Sequence, residues 1–97
     1  MDETFRKECL LQNKIDMKLV KQFAGNYKGQ QIVDGLNVEL EVSSLEKQGF
    51  CFSYYVNGKL MYDDGWYGLR LKDIKYDMDI NIKRVVEEYK EYIEENR

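Results

Sequence analysis

Between Tyr27 and Leu71, apolar and polar residues alternate with the period of a β-strand. Leu36, Val38, Leu40 and Val42 alternate with Asn37, Glu39 and Glu41, and Phe50, Phe52, Tyr54 and Val56 alternate with Cys51, Ser53 and Tyr55. Asp34-Gly35, Asn57-Gly58 and Asp64-Gly65 punctuate the stretch. Such pairs place both central residues at positive φ, as a two-residue hairpin turn of type I′ requires. A turn at Asp34-Gly35 sets Val33 opposite Leu36 and Tyr27 opposite Val42, putting Tyr27, Val33, Leu36, Val38, Leu40 and Val42 on one face. Ser43 to Gly49 is a longer polar connection. Phe50 to Val56 then turns at Asn57-Gly58 into Lys59 to Asp63, in a register that sets Tyr55 opposite Leu60 and Ser53 opposite Tyr62. Asp64-Gly65 is expected to turn the chain again, into a strand over Trp66 to Leu71.

Both flanks carry a helical period. Glu3 to Ala24 divides into a short helix and a second one, with a break near Asn13-Lys14, Asp16 as N-cap and Gly25 as the stop. Ile15, Leu19, Val20 and Phe23 form the apolar stripe of that second helix. The competing pattern, Ile15, Met17 and Leu19 alternating as a strand, is the weaker of the two. From about Asp77, Ile82, Val85, Val86, Tyr89, Tyr92 and Ile93 make a continuous helical stripe, with Lys83/Glu87 and Arg84/Glu88 as outward i, i+4 pairs. Asp77 and Asp79 suit the positive end of that helix. The expected fold is α+β: N-terminal helix or helices, an antiparallel four- to five-stranded β-meander, and a C-terminal amphipathic helix packed on one face. With 97 residues, one domain spanning 1–97 is expected.

Charge narrows the choice of partner. The net charge is −3; residues 1–60 balance eight basic against eight acidic side chains, and residues 61–97 carry seven against ten. That distribution disfavours direct nucleic-acid binding and favours a protein partner with a basic surface. Cys9 and Cys51 make no disulfide framework, the N-terminus is acidic where an export signal is basic, and no apolar run approaches the length of a membrane span. A cytoplasmic protein with free thiols and no membrane contact is expected. There is no histidine, the commonest general acid–base group and metal ligand.

The chemistry-bearing stretches have plain structural explanations. Gln48-Gly49-Phe50-Cys51-Phe52-Ser53-Tyr54-Tyr55 is faintly similar to the aromatic strand motif of RNA-recognition-motif domains, but departs from it at Gln48, Cys51 and Ser53, and no helix separates the strands. Gly25-Asn26-Tyr27-Lys28-Gly29 lacks the Gly-Lys-Ser/Thr ending of a phosphate loop. Asp63, Asp64, Asp73, Asp77 and Asp79 match no calcium-loop spacing. No catalytic residue, cofactor or metal site is therefore expected.

The aromatic load is left over: eight Tyr and one Trp. Tyr55, Tyr62, Trp66 and Tyr67 are the expected partner-binding anchors, with Asp63, Asp64, Asp73, Asp77 and Asp79 supplying electrostatic attraction. The expected function is a small non-catalytic protein–protein interaction module that occupies a basic surface of a nucleic-acid-handling partner, broadly like small phage or mobile-element inhibitors in size and charge. The alternatives are a self-associating homodimeric structural or regulatory subunit, and a small-ligand or nucleic-acid binder that uses an aromatic sheet face.

Overall fold

A computed structural model describes residues 15–97 apart from position 47. It holds five strands and a long helix: β1 (Val20–Phe23), β2 (Asn26–Val33), β3 (Leu36–Ser44), β4 (Phe50–Val56), β5 (Lys59–Trp66) and α1 (Leu71–Glu95). The strands form one antiparallel meander in the order β1-β2-β3-β4-β5. Among the described residues no helix is long and apolar enough to cross a membrane.

The turn chemistry explains the two central hairpins. Asp34 (φ 52) with Gly35 (φ 79), and Asn57 (φ 49) with Gly58 (φ 84), lie in the left-handed region that type I′ turns need. The β2–β3 register follows, with Val33 opposite Leu36 and Tyr27 opposite Val42.

Three expectations fail at the sheet margins. The helix expected from Asp16 to Ala24 is instead a segment without regular secondary structure, Ile15 to Leu19, followed by strand β1. Gly25 (φ 76) turns β1 back into β2; a glycine at positive φ ends a helix or turns a hairpin equally well. The shorter helix expected before Asn13 lies outside the described residues. Second, Asp64-Gly65 is no turn: β5 runs straight through it to Trp66, and Gly65 sits opposite Cys51. A Cβ on Gly65 would lie 2.5 Å from the Cys51 Cα, so this glycine permits close strand approach. Third, the chain turns at Gly68 (φ 95), and Leu69 to Leu71 leads into the helix rather than forming a strand. The helix starts at Leu71, so Asp73, not Asp77 or Asp79, occupies its first turn. The Asp73 carboxylate accepts the Arg70 backbone N–H at 3.2 Å and the Arg70 guanidinium at 3.1 Å. Those contacts hold its pKa below the usual carboxylate range.

The core lies between the sheet and α1. Ile74, Met78, Ile82, Val85 and Val86 are buried on the helix against Val38, Leu40, Val42, Phe52, Tyr54 and Val56 on the strands. The helix lies over β3, β4 and β5. Over β2 the same face is covered by Ile15 to Leu19: a Cβ on Gly29 would lie 2.8 Å from the Met17 Cγ, and the Asp16 N–H donates to Gln31 Oε1 at 2.8 Å. At the far end of α1, Lys90 Nζ donates to Asp34 at 2.8 Å, which raises the lysine pKa and ties the helix to the β2–β3 turn.

Candidate functional site: the open sheet face

No described element covers the other face of the sheet. Its residues follow from alternation and the strand registers. One row across β2 to β5 reads Gln30, Glu39, Tyr55 and Leu60. The next reads Lys28, Glu41, Ser53 and Asp63, and a third Asn26, Ser43, Cys51 and Gly65. Directly opposite residues stand about 5 Å apart at Cβ and diagonal ones roughly 7–8 Å. Tyr55 therefore has Glu39 on one side, Leu60 on the other, and Glu41 and Asp63 at its diagonals.

The face is more polar than its aromatic content suggests, because Tyr62 does not belong to it. Tyr62 stands opposite Tyr54, not Ser53, and Met61 has no partner in the ladder. That extra residue is a β-bulge. It turns Tyr62 under the helix and brings Asp63 out to the open face. Tyr62 packs on the core, stacks on Tyr54 and carries the Arg84 guanidinium 4.8 Å above its ring.

The remaining expected anchors are dispersed. Trp66 shares the inner-face register of Phe50 at the sheet margin and is half exposed, and Tyr67 is exposed in the turn before α1. Asp64 also has inner-face register on the edge strand, and its carboxylate accepts the Gly65 N–H at 2.8 Å. Asp73, Asp77 and Asp79 are on α1, across the core from the open face. Of the nine expected residues, only Tyr55 and Asp63 share the open face, and Glu39, Glu41 and Leu60 join them there.

Electrostatics of the face are one-sided. Its strand residues supply one cation, Lys28, and three carboxylates, Glu39, Glu41 and Asp63. Lys28 lies 3.8 Å from Glu41. Among the described residues Glu39 and Asp63 form no ion pair, and the Tyr55 ring meets neither another ring nor a cation.

Elsewhere the chemistry is sparse. A solvent-open groove of about 320 Å³ runs between Met17, Leu19, Lys75 and Met78, and a second of about 260 Å³ lies beside Phe23 and Tyr27. Among the described residues no three Cys, Asp or Glu side chains gather as a metal-binding set. Cys51 has a free, half-buried thiol. The Tyr54 hydroxyl is wholly buried without a hydrogen bond in this structure. Burial pushes its pKa up to about 12, tempered by the Asn81 side chain. Comparisons with protein-family models, curated proteins and solved structures find no match to this chain.

Proposed function

We propose that this protein is a non-catalytic binding module that docks a basic surface of a partner protein against its open sheet face. One observation carries the reading: the face opposite α1 presents Tyr55 and Leu60 beside two carboxylates, Glu39 and Asp63, that no described cation neutralises. Apolar area at the centre supplies affinity, and the surrounding charge supplies steering and selects the partner. A groove that normally holds nucleic acid is basic in this way, so occupying one makes the module an inhibitor of a nucleic-acid-handling enzyme.

Charge also ranks the alternatives. Two copies meeting through this face bring carboxylates against carboxylates, and a nucleic-acid strand brings phosphates against them; both are repulsive. The test is affinity for a mixed Lys–Arg peptide at 50 and 300 mM salt (conditions chosen to span about a twofold change in screening length). Binding that weakens with salt, and that loses most of this dependence in an E39Q/D63N variant, is expected. Equal salt dependence in the variant overturns the reading.

A further inference from the structure

We infer that the partner side chain seated on the open face is an arginine, stacked on the Tyr55 ring and held by Glu39 and Asp63. This inference rests on the proposed binding mode and deepens it, since a basic surface alone leaves arginine and lysine equivalent.

The molecule uses tyrosine rings as cation seats elsewhere. Arg84 lies over Tyr62 at 4.8 Å, and Lys59 over Tyr92 at 4.5 Å. Arg84 also shows how such a seat is completed: its guanidinium lies over the ring while its Nε donates to Glu88 at 3.3 Å. Tyr55 has the same ingredients without the cation. It is partly buried and keeps some solvent exposure, Glu39 stands directly across from it on β3, and Asp63 is its diagonal neighbour on β5. Lys28, the one strand cation of this face, is engaged with Glu41.

The geometry favours guanidinium over ammonium. A planar guanidinium stacks on a ring and donates sideways to a carboxylate at the same time, whereas an ammonium is a compact, strongly hydrated point charge. Leu60, beside Tyr55 on β5, offers apolar contact to the methylene stem of the incoming residue. A seat built this way discriminates by contact as well as by charge, so its selectivity persists at salt concentrations that screen steering.

The test compares deca-arginine and deca-lysine peptides, titrated at one salt concentration against wild type, Y55L and W66L. A cation–aromatic contact of the usual strength predicts that wild type binds the arginine peptide about fivefold to tenfold more tightly. Y55L is expected to bring the two affinities within about twofold of each other, mainly by weakening the arginine peptide, while W66L keeps the wild-type ratio. Circular dichroism confirms that each variant is folded. Equal binding of both peptides by wild type overturns the arginine seat and leaves the basic-partner reading standing. An arginine preference that survives in Y55L, or disappears in W66L, also overturns the seat. Failure to bind either peptide overturns both.

Discussion

The rings of Tyr54 and Tyr62 stack with centroids 6.1 Å apart and 16° between their planes, although an unbroken hairpin from Asn57-Gly58 places the two residues on opposite faces of the sheet. The extra residue Met61 makes the difference. Its bulge encloses one tyrosine beneath α1 and releases one carboxylate, Asp63, to the open face, so a single local irregularity shapes both the core and the candidate binding surface.

The tyrosines on the two sides of the sheet therefore contribute unequally to stability. Tyr62→Ala removes a ring packed on Phe52, Tyr54 and Arg84 and is expected to cost about 2–4 kcal/mol. Tyr55→Ala removes a cross-strand contact with Leu60 and is expected to cost about 1 kcal/mol or less. Urea unfolding of both variants checks the order; the reverse order contradicts the bulge.

Gly65 is a close-approach position. A methyl group there meets Cys51 Cα at 2.5 Å and the Phe50 carbonyl oxygen at 2.8 Å, both main-chain atoms with little room to yield. Gly65→Ala is expected to destabilise by about 1–3 kcal/mol, read as a lower thermal midpoint. An unchanged midpoint means β4 and β5 separate more readily than their packing implies.

The buried Tyr54 hydroxyl makes the fold sensitive to alkali. Its pKa is about 12 in the folded protein against the ordinary tyrosine value of 10.0, so the folded state holds this proton more tightly than the unfolded chain. Stability from this group is complete below pH 10 and is lost as pH rises from about 10 to 12, by roughly 2–3 kcal/mol in all. Tyr54→Phe removes that loss. At neutral pH it is expected to be neutral or stabilising by up to about 1 kcal/mol, because the hydroxyl it deletes has no hydrogen bond in this structure. Chemical denaturation at pH 7 and pH 11 separates the two effects.

Asp73 gives the acid counterpart. Its folded pKa is depressed by Arg70, so its contribution is present above the ordinary carboxylate pKa and disappears as pH falls through the lowered value. Asp73→Asn is expected to lower the thermal midpoint at pH 7 and to converge with wild type under strongly acidic conditions. A constant difference across that range contradicts the capping role.

How much of this was legible in the sequence depends on how each strand pair is fixed. The β2–β3 register was readable because a two-residue turn leaves one choice, and Asn57-Gly58 did the same for the start of β4–β5. The β3–β4 pairing that sets Glu39 beside Tyr55 follows a five-residue connection, Leu45 to Gly49, whose length fixes no register. The one trace of the bulge was the apolar run Leu60-Met61-Tyr62, which breaks alternation in an otherwise half-buried strand. Strand β1 was hidden because Ile15, Leu19, Val20 and Phe23 satisfy a helical stripe. What decides the outcome is non-local: pairing of β1 with β2 and the seat of Met17 on Gly29. The helix start is obscured for a related reason, since Leu69 and Leu71 read as strand alternation while Asp73 and Arg70 close the first turn.

The open face, rather than the helix side, is the proposed docking surface, and amide chemical-shift mapping of the labelled protein with deca-arginine distinguishes the two. Shifts concentrated at Glu39, Glu41, Tyr55, Leu60 and Asp63 are predicted, with Asp73, Asp77 and Asp79 on α1 unmoved. Shifts clustered along α1, with the open face silent, would contradict it.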